Sequence, residues 1–128
     1  MTRAQKAAEL KHSHNCCQAV LLAFEDRLPM DSAALLALGS GFGSGMGGMK
    51  GTCGALTGAE MVLGMLGYKG SSMNRYSREL FARFEEKCGA SACIDIKGIL
   101  TGRVLCSCED CCRYAAEIVE EMLEKEVP

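Results

Sequence analysis

The 128-residue chain has no tryptophan, only two prolines, and just three tyrosines and four phenylalanines. With no long basic run, no set of stacking aromatic residues and a formal net charge of −2, it lacks the features that bind nucleic acid. Residues 1–11 lack the apolar core of a signal peptide. The longest apolar stretch, 55–66, contains Glu60 and is too short to span a bilayer. We therefore expect a soluble, cytoplasmic protein that binds neither nucleic acid nor membranes.

The scarcity of proline and β-branched residues favours a helical fold. Ala, Leu, Met, Glu and Lys, which are good helix formers, dominate the chain. We predict an all-α protein, a compact single domain over 1–128 with about five main helices. A glycine-rich loop, 39–51, precedes the predicted central helix, 53–66, which is apolar nearly all round. Helix-capping residues are predicted at Ser13 or Asn15, Asp31, Thr52 and Ser107.

Cysteine, in contrast to tryptophan and proline, is abundant in this chain. The nine cysteines are Cys16, Cys17, Cys53, Cys88, Cys93, Cys106, Cys108, Cys111 and Cys112. A domain of this size can bury a core without disulfides, and a reducing cytoplasm does not sustain a disulfide framework. An odd number of cysteines would also leave one thiol without a partner. The composition therefore indicates metal, cluster or redox chemistry.

Several of these cysteines lie where helices are predicted to begin. The first turns of four predicted helices contain Cys16, Cys53, Cys93 and the group Cys108, Cys111 and Cys112. A helix N-terminus favours a thiolate over a thiol because of its dipole and its free N–H groups. If the bundle brings these starts together, the thiolates form a soft-ligand site suited to an iron–sulfur cluster, zinc or copper(I).

The glycine-rich loop is consistent with such a site. Without side chains, its backbone can approach an inorganic group closely and donate N–H hydrogen bonds to it. The glycines predicted to bind a cofactor in this way are Gly47, Gly48, Gly51 and Gly54.

Cys108 and Cys111 form a Cys-x-x-Cys pair, which is typical of half a zinc site or of a redox dithiol. In a metal-free thiol–disulfide oxidoreductase, Cys108 would attack as a thiolate and Cys111 would resolve the mixed disulfide. A further alternative is a zinc-stabilised structural or interaction module. Cys17 and Cys106 are expected to be bystanders, and Cys88, at a predicted helix end, to be structural or a resolving thiol.

Three segments together resemble a known family. They are the run NCCQAVL at 15–21, the run TCGALTGA at 52–59, and Cys93 followed by the cysteines of 108–112. Over about residues 8–121 the chain is similar to the redox-active proteins of the C_GCAxxG_C_C family. The resemblance implies a small helical redox protein whose metal ligands include Cys16, Cys53 and Cys93. For the last ligand it favours Cys108 over Cys112.

The resemblance also bears on the cofactor. A related domain of a split-Soret cytochrome is associated with an iron–sulfur cluster, although here no His follows a Cys-x-x-Cys pair, so haem attachment is not indicated. The leading hypothesis is therefore an iron–sulfur protein for electron transfer or redox sensing, whose cluster aerobic purification would remove. Zinc is the alternative cofactor. We expect a redox partner protein, and the near-zero charge and a predicted exposed loop with Met46 and Met49 permit a homodimer.

Overall fold

Seven α-helices make up the fold in a computed structural model that describes residues 1–127. They are α1 Arg3–Leu10, α2 Cys16–Ala23, α3 Ser32–Gly39, α4 Gly54–Gly67, α5 Asn74–Cys88, α6 Cys93–Ile96 and α7 Cys108–Lys125. A 3₁₀ turn, Glu25–Arg27, follows α2. No strand occurs within 1–127, so the predicted all-α class is confirmed, and the short α1 and α6 account for the higher helix count. None of these helices is both long and apolar enough to cross a membrane.

Side-chain caps begin three of the helices as the sequence predicts. The Asn15 side chain accepts a hydrogen bond from the backbone N–H of Gln18, and the Gln18 side chain accepts one from Asn15 in return, which is a capping box. Asp31 caps α3 and Ser107 caps α7 in the same way. These local hydrogen bonds determine where α2, α3 and α7 begin.

The start of α4 differs from the prediction. Cys53 itself, rather than Thr52, occupies the capping position, and its side chain makes no capping hydrogen bond. Its backbone is held from outside the helix, since the N–H of Cys53 donates to the carbonyl of Ser91 at 2.8 Å. Thr52 forms an isolated antiparallel bridge with Ala92. Tertiary contacts therefore position this helix start.

Helices α2, α4 and α7 pack against one another and form the centre of the bundle. Helix α1 lies on α7 and α2, α3 lies on α2, and α5 lies on α7 and α4. The core contains fully buried large side chains from these elements, such as Leu21, Leu56, Phe84 and Val119. The predicted central helix is α4, although Met61 and Met65 on its outer side are only partly buried.

Two glycines allow α4 to approach α2 closely. A Cβ on Gly58 would lie 2.9 Å from the Cys17 carbonyl oxygen, and a Cβ on Gly54 would lie 3.3 Å from the Cβ of Cys16. Both distances are shorter than an ordinary van der Waals contact, so a larger residue would push the two helices apart. The glycines thus bring the start of α4, with Cys53, beside the start of α2, with Cys16.

Candidate functional site

A pocket lies where four helix starts meet, and each start contributes a cysteine. We call it the outer pocket, and its cysteines are Cys16, Cys53, Cys93 and Cys108. Its remaining lining residues are Lys11, Asn15, Ser44, Met49, Gly54 and Lys97. The cavity measures about 170 Å³. That is more than ten times the roughly 10–15 Å³ that one water requires, so the pocket has room for a polyatomic group.

The four cysteines occupy equivalent places at their helices. Cys16, Cys93 and Cys108 are the first residues of α2, α6 and α7, and Cys53 precedes the first residue of α4. Backbone N–H groups at helix starts lack partners within the helix and can bond to sulfur. The N–H of Ala55 donates in this way to the sulfur of Cys53. The pocket therefore combines soft ligands with backbone dipoles that stabilise negative charge.

Hydrogen bonds among the thiols change their pKa values. The Cys16 thiol and the Lys97 ammonium donate to the sulfur of Cys108 and lower its pKa to about 5. The Cys111 thiol donates to the sulfur of Cys53, and the Cys16 proton, shared with Cys108, adds to its effect, so the pKa of Cys53 falls to about 3. Burial lowers the pKa of Lys97, but the hydrogen bond to Cys108 and the nearby thiolates outweigh burial and raise it. The reduced, metal-free pocket thus favours thiolates at Cys53 and Cys108.

The predicted glycines differ in where they lie. Gly54 lines the outer pocket. Gly51 lies behind it, and its carbonyl accepts a hydrogen bond from the N–H of Cys93 at 3.0 Å. Gly47 and Gly48 are exposed on the loop and do not line the pocket. A glycine that the sequence analysis did not select, Gly45, is buried against Cys93, with 2.7 Å between its ideal Cβ position and the Cβ of Cys93.

The two methionines of the loop also separate. Met46 is exposed, as expected, whereas the expectation that Met49 is exposed is wrong. Met49 is half-buried and lines the pocket, where the Cys93 thiol donates to its sulfur at 3.8 Å. Ser44 and Met49 both have positive φ angles, of 50° and 67°. Left-handed backbone at non-glycine residues is costly and is concentrated at functional sites.

A second group of cysteines lies deeper in the protein. The sulfur atoms of Cys88, Cys106 and Cys111 lie within 4.8 Å of one another, and all three residues are buried. We call this group the inner trio, and it could hold a metal ion. Sequence reasoning did not find it, because its members come from the end of α5, the loop before α7 and the first turn of α7. Cys106, expected to be a bystander, belongs to this group.

The cysteines at the start of α7 therefore have different surroundings. Cys108 contacts Cys16 in the outer pocket, whereas Cys111 contacts Cys53 and Cys88. Cys112 lies behind the pocket, fully buried, with its thiol 3.8 Å from the carbonyl oxygen of Cys16. The structure thus brings Cys108, and not Cys112, into the pocket with the other predicted ligands.

Cys17 lies in the hydrophobic core and contributes to neither the outer pocket nor the inner trio. Its side chain is fully buried, and burial raises the pKa of its thiol to about 12. A thiol in this state is a weak nucleophile and a poor metal ligand, since both roles need the thiolate.

Comparison with known proteins identifies a family. The family model described as "Putative redox-active protein (C_GCAxxG_C_C)" matches residues 14–122, a span that contains all nine cysteines. No curated protein and no solved structure matches the chain. Because the family match covers most of the chain, including both cysteine groups, this protein belongs to the C_GCAxxG_C_C family.

Proposed function

We propose that the protein holds an iron–sulfur cluster in the outer pocket and uses it for electron transfer or redox sensing. The ligands would be Cys16, Cys53, Cys93 and Cys108. The observation that supports this is the meeting of four cysteines, each from a different helix start, around one cavity of about 170 Å³. Four cysteine thiolates are the usual ligand set of such clusters.

The spacing of the sulfur atoms favours a cluster over a single ion. Within residues 1–127, the inner trio is the one group of three or more candidate ligands that lie within 4.8 Å of one another. No three cysteines of the outer pocket lie that close to one another, although Cys16 contacts both Cys53 and Cys108. A single zinc ion draws four ligands to one point, whereas the ligands of a cluster bind different irons.

Charges around the pocket fit a thiolate-bound centre. Four thiolates would bring four negative charges, and Lys11 and Lys97 line the same cavity. The helix starts and the Ala55 N–H on Cys53 stabilise further negative charge. When bound, the cluster would supply one-electron oxidation and reduction. Positive charge and N–H bonds to sulfur help to set the reduction potential of such a centre.

The exposure of the ligands indicates where electrons would enter. Cys16, Cys53 and Cys93 are buried, whereas Cys108 is half-exposed. The buried residues would exclude water from the cluster, and Met49 would cover it beside Cys93. A redox partner would therefore approach on the side of Cys108.

Anaerobic preparation tests this proposal. After reconstitution with ferrous iron and sulfide, the protein should absorb visible light and contain matched iron and acid-labile sulfide. Cys93→Ala should lose most of the iron. Cys17→Ala is the matched control, since Cys17 is equally buried but lies outside the pocket, and it should retain the iron. The proposal is contradicted if the iron content does not fall in Cys93→Ala or Cys53→Ala. It is also contradicted if the protein contains stoichiometric zinc and unfolds when that zinc is chelated.

A second candidate function is metal-free thiol–disulfide exchange, favoured by the contact between Cys108 and Cys16. The Cys108 thiolate would attack a partner disulfide and release one partner thiolate. Cys16 would then attack the mixed disulfide, which closes a Cys16–Cys108 bond and releases the second thiol. Here Cys16, rather than Cys111, resolves. In metal-free protein, Cys16→Ser should therefore trap the mixed disulfide, and Cys111→Ser should not.

A further inference from the structure

The inner trio is a ligand set of its own, and we propose that it binds one copper(I) ion through Cys88, Cys106 and Cys111. This site is separate from the outer pocket and does not depend on the proposed iron–sulfur function. The number of ligands, their softness, their burial and the charge beside them all favour copper(I).

Three sulfur atoms, and not four, converge on one point. The sulfurs of Cys88, Cys106 and Cys111 all lie within 4.8 Å of one another. No fourth Cys, His, Asp or Glu ligand in residues 1–127 joins them at that spacing. A zinc ion in a structural site takes four ligands in a tetrahedron. A three-sulfur site leaves zinc one ligand short.

Burial prevents water from supplying the missing ligand. Cys88 is 1 %, Cys106 9 % and Cys111 0 % exposed. Hard ions such as magnesium, calcium and manganese require oxygen ligands, and the trio offers sulfur alone. Thiolates in a dry site select soft ions, and copper(I) is the soft ion that is satisfied by few ligands.

Charge and proton balance are also consistent with a monovalent ion. Each thiol that ligates copper(I) gives up its proton, so binding releases up to three protons and leaves the oxidation state of copper unchanged. The bound ion then leaves a net negative charge. Lys97 lies close by: its ammonium is 3.5 Å from the carbonyl oxygen of Cys106, and its charge acts on Cys111. This lysine would offset part of that charge.

The position of Cys106 gives the ion a route to the site. Cys88 and Cys111 belong to helices, whereas Cys106 lies on the connection between α6 and α7, next to the exposed Leu105. The trio therefore comes nearest to the surface at Cys106. This makes Cys106 the ligand that is most suitable for substitution.

The test uses fully reduced, metal-free protein under anaerobic conditions. Copper(I), at less than one equivalent per chain, is shared between the protein and a chromophoric copper(I) chelator. We expect the protein to compete for the ion, and X-ray absorption to count three sulfur ligands. Cys106→Ser should weaken copper(I) binding at least about tenfold, the loss that even an outer-shell change can cause.

Cys93→Ser is the matched control, because it alters the outer pocket and leaves the trio intact. It should retain copper(I) binding while losing the iron–sulfur cluster, and Cys106→Ser should show the reverse. Circular dichroism of each variant establishes that it is folded, and Cys88→Ser provides a second ligand variant. Copper(I) affinity that is unchanged in both Cys106→Ser and Cys88→Ser overturns the proposal. The proposal is also overturned if the trio binds zinc more tightly than copper(I), through four sulfurs of which Cys53 supplies the fourth.

Discussion

The thiols of Cys53 and Cys111 are neighbours where α4 and α7 pack together, and each shifts the pKa of the other. Cys53 belongs to the outer pocket and Cys111 to the inner trio, so this contact joins two groups of thiols that are otherwise separate. The Cys111 thiol donates to the Cys53 sulfur, which is why the pKa of Cys53 falls and that of Cys111 rises. Ligation of one group therefore changes the electrostatic surroundings of the other.

Lys97→Gln should reduce the reactivity of Cys108 at low pH. Of the nine cysteines, all within the described residues, Cys108 alone is not buried. Its pKa is lowered to about 5, so in reduced, metal-free protein its alkylation rate should fall only as the pH drops through about 5. Removing the lysine charge should raise that midpoint by about 1–3 pH units. Iodoacetamide labelling, quantified on the peptide that contains Cys108, measures the shift.

Lys11→Gln provides the control for that measurement. Lys11 lines the same pocket, but its charge lowers the pKa of Cys108 less than the charge of Lys97 does, and it contributes no hydrogen bond to that sulfur. The midpoint should move much less than in Lys97→Gln. Equal shifts in the two variants would show that the hydrogen bond from Lys97 adds nothing to the lowering of the Cys108 pKa.

Two glycines of α4 should respond in opposite directions to alanine. At Gly58 the new Cβ would lie 2.9 Å from the Cys17 carbonyl oxygen, so Gly58→Ala should destabilise the protein by about 1–3 kcal/mol. At Gly64 no described atom outside the local helix lies within 4 Å, and Gly64→Ala should stabilise it by about 1 kcal/mol. Urea denaturation measures both. Equal effects would mean that α2 and α4 are not in close contact at Gly58.

Gly45→Ala should disturb the outer pocket through Cys93. Gly45 and Gly47 both have positive φ, so alanine at either position costs about 1–2 kcal/mol of backbone strain. At Gly45 the new Cβ would also collide with the Cβ of Cys93, 2.7 Å away. At Gly47 no described atom lies within 4 Å of the new Cβ. Iron per chain after reconstitution should therefore fall in Gly45→Ala and not in Gly47→Ala. The same loss in both variants would point to general destabilisation of the loop.

Cys112→Ala should retain the iron–sulfur cluster that Cys108→Ala loses. Cys112 is buried behind Cys16 and outside the pocket, so its substitution removes packing rather than a ligand. We expect a cost of about 1 kcal/mol in unfolding free energy, as for other small core truncations. Iron analysis and thermal unfolding of the two variants separate the effects. Loss of iron in Cys112→Ala, with Cys108→Ala unaffected, would reverse the assignment of the fourth ligand.

Much of the fold was accessible to sequence reasoning because its signals are local. Asn15, Asp31 and Ser107 cap helices through hydrogen bonds that span three residues, so the sequence around them is enough to place those helix starts. The cap of α4 is Cys53 and not the predicted Thr52, because a distant segment, through Ser91, holds the Cys53 backbone. Local patterns do not record such contacts.

The glycines and methionines of the loop before α4 also differ in ways that the local sequence does not predict. Gly45 and Gly47 are chemically identical and lie two residues apart, yet one packs on Cys93 and the other is exposed. Met46 and Met49 differ in the same way. The path of an irregular loop depends on what it packs against, which composition does not report.

By itself the sequence determined the helical class, the caps and the presence of cysteines at helix starts, because these follow from propensity and from hydrogen bonds between near neighbours. The tertiary structure alone decided how nine similar thiols divide into a pocket of four, a trio and two core residues. That division depends on how α2, α4, α5 and α7 cross and on the loop before α7. Sulfur atoms far apart in the chain meet only when the whole bundle has packed.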